Sequence, residues 1–252
     1  MNLGLSGKTA LVTGASRGIG LSIAESLHSQ GCLVAINSRN SEDLRGISSR
    51  LPGVIGISGD LTQPLHAKRV VSECLDSFGK LDILVCNIGS GSSVNPLEET
   101  YDEWQRVFAL NLWSTTNSIE AAKDALFESR GCIICISSIC GSEVIPNAPV
   151  TYSTAKAAIH AYVRGIARPL GKKGVRINAV APGNIIFEGS VWSNKFSLDR
   201  KSVQAMLDQQ VSLGCFGRPS DVANLVLYLA SPLSHFATGQ IWTIDGGQTR
   251  SN

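Results

Sequence analysis

The stretch that most constrains the fold lies near the start of the chain, where three glycines follow an apolar run. It reads Val12-Thr13-Gly14-Ala15-Ser16-Arg17-Gly18-Ile19-Gly20, and the run before it is Thr9–Val12. Apolar residues after it recur with the spacing of one helix face, at Ile19, Ile23, Ala24 and Leu27. The pattern predicts a strand, a tight turn and a helix whose free amides bind the pyrophosphate of a dinucleotide.

Two other interpretations of these glycines remain open. The spacing is Gly-x-x-x-Gly-x-Gly and not the commoner fingerprint Gly-x-Gly-x-x-Gly, so a purely structural turn is one alternative. Gly14 to Gly18 also fits Gly-x-Ser-x-Gly, the nucleophile elbow of hydrolases, which would make Ser16 a nucleophile. An elbow normally follows several strands, whereas this stretch follows the first, which favours the dinucleotide.

Length and charge limit the classes of protein to which the chain can belong. Its 252 residues suit one domain spanning 1–252. A net charge of +2, with scattered basic residues, argues against nucleic-acid binding. No apolar run reaches the roughly 18 residues of a membrane span, and the first residues lack a signal-peptide pattern. We therefore expect a cytoplasmic protein with no membrane partner.

The seven cysteines fall mostly in apolar runs, as buried thiols do in a reducing compartment. Cys132 and Cys135 form a Cys-x-x-Cys pattern that is typical of zinc or redox sites. Both lie in a predicted strand, however, where residues three apart point to opposite faces. The sequence therefore predicts neither a metal nor a disulfide at this pair.

Strand-like runs alternate with helix-like segments along the chain. The predicted strands are Thr9–Val12, Leu33–Asn37, Val54–Ser58, Ile83–Cys86, Ile133–Ser137, Arg176–Val180 and Ile241–Ile244. The long helix expected over Asp102–Leu126 contains Leu112 and three aromatic residues that are expected in the core, namely Trp104, Phe108 and Trp113. The alternation predicts an α/β fold, a Rossmann-type doubly wound parallel sheet with helices on both faces.

The end of the second predicted strand indicates which dinucleotide binds. An acidic residue there binds the ribose 2′-hydroxyl of NAD, whereas a basic residue accommodates the 2′-phosphate of NADP. Here Ser38 and Arg39 follow the strand, and Arg17 in the glycine turn is able to approach the same phosphate. NADP(H) is therefore favoured over NAD(H), the alternative being two solvated surface arginines.

Turn residues also follow the third, fourth and sixth predicted strands, on the same edge of the sheet. Asp60-Leu61 follows the third strand, where Asp60 either contacts a ligand or caps a helix. Asn87-Ile88-Gly89 follows the fourth, and Pro182-Gly183 follows the sixth. The mixed polarity from Ile185 to Lys201 is that of a mobile substrate lid, predicted over about 185–215.

Tyr152 and Lys156 carry the predicted chemistry. They are four residues apart and so share one face of a helix. A phenol ionises near pH 10, but a lysine ammonium about 5 Å away would favour the phenolate by roughly 3 kcal/mol, or about 2 pH units. We therefore expect Tyr152 to act as a general acid or base with a lowered pKa.

These motifs together resemble the short-chain dehydrogenase/reductase family, in its short single-domain branch, similar to 3-oxoacyl-carrier-protein reductases. The resemblance covers nearly the whole chain and rests on Thr13 to Gly20, Asn87-Ile88-Gly89, the set Asn111, Ser138, Tyr152 and Lys156, and Pro182-Gly183. It implies a seven-stranded sheet and hydride transfer between a nicotinamide and a carbonyl or alcohol carbon. The cofactor contacts predicted are Gly14, Ser16, Arg17, Gly18, Ile19, Gly20, Ser38, Arg39, Asp60, Leu61, Asn87, Gly89, Tyr152, Lys156, Pro182, Gly183 and Ile185.

The resemblance also implies a role for each catalytic residue. Tyr152 would protonate the nascent alkoxide or, in reverse, remove the alcohol proton, and Lys156 would lower its pKa and hold the nicotinamide ribose. Ser138 would bind the substrate oxygen, and is chosen over a structural Ser137 because it precedes Ile-Cys-Gly. Asn111 would anchor a water that relays protons to Lys156.

Three residues depart from the family's pattern. Cys86 and Ile88 replace the Asn and Ala of the Asn-Asn-Ala-Gly motif, so the packing beside the adenosine is expected to differ. Phe187 stands where many members carry a Thr that contacts the nicotinamide carboxamide. The lid sequence after Pro182, with Trp192, is similar to a bacterial branch associated with surface-polysaccharide or sugar pathways.

The sequence thus predicts an NADP(H)-dependent oxidoreductase that acts on a ketone or secondary alcohol. The substrate is predicted as a 3-oxoacyl thioester, or alternatively a keto-sugar or other small carbonyl compound. A non-catalytic NADP(H)-binding redox sensor is the alternative from another class, and the intact Ser138, Tyr152 and Lys156 argue against it. The resemblance implies a homotetramer, with a homodimer as the alternative.

Overall fold

The computed structural model describes residues 2–250 and has the predicted α/β architecture. Seven parallel strands form one sheet: β1 Thr9–Val12, β2 Leu33–Ser38, β3 Ile55–Ser58, β4 Ile83–Cys86, β5 Cys132–Ile136, β6 Arg176–Pro182 and β7 Ile241–Ile244. Each predicted strand is confirmed, and the ends differ by at most two residues.

The strand order is β3-β2-β1-β4-β5-β6-β7. The chain winds outward from β1 in one direction and then returns to continue from β4 in the other. The carboxyl ends of β1 and β4 therefore flank the switch point, where ligands bind in open parallel sheets. The glycine turn after β1 and the turn after β4 both lie at this point.

Helices cover both faces of the sheet. Within residues 2–250 they are α1 Gly18–Ser29, α2 Ser41–Arg50, α3 Pro64–Phe78, α4 Tyr101–Phe108, α5 Ser114–Ser129, α6 Val150–Gly171, α7 Val191–Leu198, α8 Arg200–Gln210 and α9 Pro219–Ala230. One apolar core joins the sheet to α1, α2 and α9, and the other joins it to α3, α5 and α6. The strands β1, β4 and β5 are buried on both faces, as their continuously apolar sequences predict.

The predicted long helix exists but is interrupted. A π-helical segment, Ala109–Trp113, separates α4 from α5. In this wider turn the Asn111 side-chain amide donates to the Val107 carbonyl at 3.0 Å. The prediction that Trp113 lies in the core is wrong, since its side chain is 43% exposed. It comes five residues after Phe108 and so leaves the apolar stripe of the helix.

The cysteine prediction is confirmed in its geometry, because Cys132 and Cys135 pack on opposite faces of the sheet. All seven cysteines are free thiols. Across residues 2–250, no group of three or more His, Cys, Asp or Glu side chains comes together as a metal site. In the same range no helix is long and apolar enough to cross a membrane.

Candidate active site

The glycine turn between β1 and α1 is held by Asn87, which follows β4. The Asn87 backbone N–H donates to Thr13 Oγ1 at 2.9 Å, and its side-chain amide donates to the carbonyls of Thr13 at 3.1 Å and Gly14 at 2.9 Å. Gly14 and Gly18 have φ of 61° and 57°, a conformation that favours glycine. A Cβ on Gly20 would overlap with the Asn87 side-chain nitrogen. Asn87 therefore positions the turn.

The N-terminus of α1 fits an anionic group. Its first turn, Gly18-Ile19-Gly20-Leu21, carries only neutral residues, and Leu21 N donates to Arg17 O at 3.3 Å. The N–H groups of Gly18, Ile19 and Gly20 come before the first intrahelical hydrogen bond and point out of the end of the helix. Together with the helix dipole they attract phosphate. The residues present thus fit a dinucleotide pyrophosphate, with the half-buried Ser16 beside it.

The two arginines predicted at a 2′-phosphate are placed differently from each other. Ser38 ends β2, its Oγ accepts a hydrogen bond from Asn40 N at 3.2 Å, and Arg39 beside it is exposed. The Arg17 Nη1 atom lies 3.2 Å from where a Cβ on Gly189 would be, so Arg17 faces the segment after β6. The convergence of Arg17 and Arg39 on one phosphate stays a prediction.

Asp60 stabilises its own turn. Its Oδ1 accepts hydrogen bonds from Thr62 N at 3.1 Å and from Thr62 Oγ1 at 2.8 Å. The alternative that Asp60 caps a helix is wrong, because Gln63 is the N-cap of α3. Leu61 packs in the core, and its carbonyl accepts from the Asn117 side chain at 3.1 Å. Cofactor contacts from Asp60 and Leu61 stay predictions.

Gly89 lies between Asn111 and Lys156. A Cβ on Gly89 would fall 2.8 Å from Asn111 Oδ1 and 2.9 Å from Lys156 Nζ. The buried Asn111 holds the turn after β4 with both atoms of its amide: Oδ1 accepts from Ser90 N at 3.0 Å, and Nδ2 donates to Ser90 O at 3.2 Å. The π-helical segment thus presents the Asn111 side chain to the turn after β4.

Tyr152 and Lys156 lie one turn apart on α6. The Lys156 Nζ atom is 5.7 Å from the centre of the Tyr152 ring and donates to the Ile136 carbonyl at 3.0 Å. Ser138, just beyond β5, makes a hydrogen bond with the Tyr152 hydroxyl, and its Oγ accepts from Cys140 N at 3.2 Å. The structure therefore brings the predicted catalytic residues together at one edge of the sheet.

Burial controls the ionisation of this pair. Loss of solvation raises the pKa of Tyr152 to about 12, against the hydrogen bond from Ser138, which lowers it. Burial also lowers the pKa of Lys156 to about 8. The expectation that Tyr152 has a lowered pKa is therefore wrong in this structure, because the cost of burying a phenolate dominates. Tyr152 is a protonated donor at neutral pH.

Comparison with known proteins places this geometry in a family. The model of a family described as enoyl-(acyl carrier protein) reductase matches residues 14–249. A 3-oxoacyl-[acyl-carrier-protein] reductase from Staphylococcus epidermidis is 34% identical over 246 residues, which cover 95% of this chain and 98% of that protein. An L-rhamnose 1-dehydrogenase (NAD(P)(+)) from Sphingomonas sp. is 32% identical over 254 residues, 96% of each chain. The chain belongs to the short-chain dehydrogenase/reductase family.

A solved structure supports the same assignment. The crystal structure of L-sorbose reductase from Gluconobacter frateurii, complexed with NADPH and L-sorbose, matches with a TM-score of 0.92 at 27% identity, covering 100% of both chains. Membership of the short-chain dehydrogenase/reductases favours the dinucleotide interpretation of Gly14 to Gly20 over the hydrolase interpretation of Ser16.

In this short-chain dehydrogenase/reductase, β6 brings Pro182 and Gly183 to the same edge of the sheet. A Cβ on Gly183 would lie 2.7 Å from the Cβ of Asp245, so the C-terminal segment covers this glycine. Ile185 is buried and bridges to Gly217. All three predicted residues therefore line the carboxyl end of β6, while their contacts with a cofactor stay predictions.

Sequence reasoning missed three residues that support the catalytic set. A Cβ on Gly141 would lie 2.7 Å from the backbone carbon of Lys156, so the turn after Ser138 packs directly on α6. His160 is buried and hydrogen-bonded to the Gly141 backbone, and burial lowers its pKa to about 4, which keeps it neutral. The Cys140 thiol is hydrogen-bonded to Ser138. His160 could have been found from the sequence, because it comes four residues after Lys156 and so shares its helix face. No sequence pattern indicates the contact between Cys140 and Ser138.

The predicted lid region contains α7 and α8. Trp192 and Phe196 pack against Phe216, with ring centroids 5.5 and 6.1 Å away. The Asn184 side-chain amide approaches the Met206 sulfur at 3.7 Å, which connects the end of β6 to α8. The lid thus presents an aromatic cluster, and its mobility stays a prediction.

Proposed function

We propose that this chain is an NADP(H)-dependent oxidoreductase that interconverts a ketone and a secondary alcohol. The observation that carries the proposal is the position of the Tyr152 hydroxyl at the open edge of the sheet. It is hydrogen-bonded to Ser138, and Tyr152 lies one helical turn from Lys156. A buried, protonated phenol in this position supports transfer of a proton to or from a substrate oxygen.

The cofactor proposal rests on residues at the switch point. The amides of Gly18 to Gly20 would hold the pyrophosphate, Arg39 the 2′-phosphate, and Tyr152 with Lys156 the nicotinamide ribose. When bound, the nicotinamide supplies or accepts the hydride. The matching L-sorbose reductase structure contains NADPH, and the Sphingomonas dehydrogenase is named for NAD(P)(+). Ser38 takes the place where NAD enzymes carry an acid, and the cation of Arg39 beside it supports NADP(H) over NAD(H).

In the direction of reduction, Tyr152 donates its proton to the substrate oxygen as negative charge develops there. In the free site Ser138 donates its single proton to the phenol oxygen and orients it, and when substrate is bound the same hydroxyl would turn to donate to the substrate oxygen. The cationic form of Lys156 stabilises the phenolate that remains, since its pKa of about 8 keeps it mostly protonated at neutral pH. Asn111 fixes the turn at Ser90 against Lys156 and would hold the water that restores the proton.

The substrate class is the finer part of the proposal. A 3-oxoacyl thioester is the first candidate, supported by the staphylococcal relative. A keto-sugar or other small carbonyl of a surface-polysaccharide pathway is the second, supported by the names of the rhamnose and sorbose enzymes. The aromatic cluster of Trp192 and Phe196 suits an acyl chain or a sugar ring.

A non-catalytic NADP(H)-binding redox sensor is the candidate from another class. Burying Lys156 beside Tyr152 costs folding stability, and proteins keep such costs where activity needs them. A sensor has no use for an acid/base pair, so this candidate is the weaker one.

We also propose a cytoplasmic homotetramer, with a homodimer as the alternative. The side chains of Tyr101 and Trp113 are 75% and 43% exposed around α4, and this apolar surface supports an interface between subunits. Light scattering on the purified chain tests it: a mass of four chains supports the tetramer, and a monomer contradicts it.

One assay tests the proposed function. The purified chain is mixed with NADPH and a panel of ketones, keto-sugars, 3-oxoacyl thioesters and enoyl thioesters, and absorbance of NADPH is followed. Oxidation of NADPH with a carbonyl compound supports the proposal. Oxidation with the enoyl thioester alone, or with none of the compounds while the chain still binds NADPH, contradicts it.

A further inference from the structure

Phe187 lies directly on the glycine turn. Three carbons of its ring, Cε2, Cζ and Cδ2, are 2.5, 2.5 and 2.9 Å from where a Cβ on Gly18 would be. Any side chain at Gly18 would therefore collide with the ring, and glycine allows the ring to rest against the backbone at the first residue of α1. The contact joins the segment after β6 to the turn after β1.

The ring covers the Cα of Gly18, the first residue of the helix end at which an anion would bind. Gly18, Ile19 and Gly20 precede Leu21, whose N–H donates to Arg17 O at 3.3 Å, so their amides belong to the open end of α1. An aromatic ring offers these amides no lone pair and keeps water and phosphate oxygens at a distance. The Phe187 ring and a pyrophosphate group thus compete for one surface.

The ring is held there by a tight turn, Phe187–Ser190, which we call the latch. Ser190 N donates to Phe187 O at 3.0 Å, which closes a four-residue turn. Gly189 is the third residue of this turn, and its φ of 73° is the positive value that a type II turn requires there. The buried Ser190 Oγ accepts from Phe187 N at 3.2 Å and from Ser193 N at 3.0 Å, so the same hydroxyl also caps α7. The latch therefore connects the position of the ring to the first helix of the lid.

We propose that the latch gates the cofactor site and that Phe187 lowers the affinity of this chain for NADP(H). The proposal rests on the proposed function. The ring occupies the surface at Gly18 in the closed arrangement, and the pyrophosphate must displace it, together with the start of α7, before it reaches the amides of α1. The apparent dissociation constant equals the intrinsic one divided by the fraction of molecules in which the latch is open.

Binding measurements on the full chain test the gate without turnover. NADPH fluorescence titrations give Kd, and stopped-flow fluorescence gives the association rate, for the wild type and for Phe187→Thr. Removing the ring should lower Kd about tenfold and raise the association rate, as expected if about nine molecules in ten are closed. Ser190→Ala releases the latch while keeping the ring, and should act in the same direction.

Two controls isolate the effect. Phe236→Ala removes an aromatic ring that is 95% exposed and away from the turn, and should leave Kd unchanged. Adenosine 2′-monophosphate has no 5′-phosphate to enter the pyrophosphate site, and should bind the wild type and Phe187→Thr equally.

The outcomes separate this proposal from the function on which it rests. A wild type that binds NADPH, with an equal or higher Kd in Phe187→Thr and Ser190→Ala, overturns the gate alone. The same gain in affinity for adenosine 2′-monophosphate also overturns it, since the effect would then not lie at the pyrophosphate. Failure of every variant to bind NADPH or NADH overturns the proposed function and the gate together.

Discussion

Gly89 lies so close to Lys156 that a Cβ on the glycine would fall 2.9 Å from the lysine Nζ and 2.8 Å from Asn111 Oδ1. The turn after β4, the π-helical segment and α6 meet at this point. The buried amine and the buried amide thus share one small volume, and only a residue without a side chain fits between them. The relationship ties a glycine in a predicted cofactor loop to the catalytic lysine.

Gly89→Ala should reduce activity without unfolding the chain. The added methyl must displace Lys156 or Asn111 by several tenths of an ångström, which disturbs the arrangement of the acid/base residues. The overpacking should lower the free energy of unfolding by about 1 to 3 kcal/mol. We expect kcat to fall about a hundredfold, as when positioned acid/base groups are displaced. Steady-state kinetics and thermal unfolding measure both effects. Gly46→Ala in α2 is the control, because a Cβ there meets nothing within 4 Å. Equal activity in the two variants would contradict the assignment.

Lys156→Met should stabilise the fold at neutral pH. Burial lowers the pKa of Lys156 from 10.5 to about 8, so between these values the unfolded chain binds more protons and stability rises with pH. Below about pH 8 the full cost of burying the charged ammonium of Lys156 is present. Removing the amine should therefore raise the free energy of unfolding there by up to about 3 kcal/mol. Urea unfolding at pH 7 and at pH 10.5 measures the difference, which should shrink at the higher pH. A Met variant that is less stable than the wild type at pH 7 would contradict this burial cost.

Arg39→Asp should change the preference between cofactors. The loss of a charge-assisted hydrogen bond to the 2′-phosphate is expected to raise the KM for NADPH about ten- to a hundredfold, and the KM for NADH should change little. Lys68→Asp makes the same charge change at an exposed position on α3 and should leave both values unchanged. A parallel rise for both nucleotides in Arg39→Asp would rule out a 2′-phosphate contact.

The parts of the fold that sequence predicts are those decided locally. The strands are visible because β1 and β4 are continuously apolar, as strands buried on both faces must be. The shared helix face of Tyr152 and Lys156 follows from a spacing of four. The start of α9 follows from Pro219 and Asp221, whose carboxylate accepts from Arg218 N at 2.7 Å.

The parts that sequence misses depend on contacts between distant segments. The π-helical segment forms where the Asn111 side chain makes hydrogen bonds with the backbone N–H and carbonyl of Ser90, which lies in the turn after β4. The helix α2 has only Leu44 and Ile47 as buried apolar residues, too few for a clear periodic signal. The raised pKa of Tyr152 follows from burial, and spacing along a helix gives no measure of burial.

Tyr152→Phe tests the central claim most directly, because it removes one oxygen and leaves the ring. Against a carbonyl substrate, kcat should fall about 10² to 10⁴-fold, the usual contribution of a positioned acid. NADPH fluorescence titration should give a Kd within about twofold of the wild type, since the pyrophosphate and 2′-phosphate contacts lie elsewhere. Tyr162→Phe, ten residues further along α6, should retain full activity. Turnover by Tyr152→Phe close to that of Tyr162→Phe would contradict the account, whatever its affinity for NADPH.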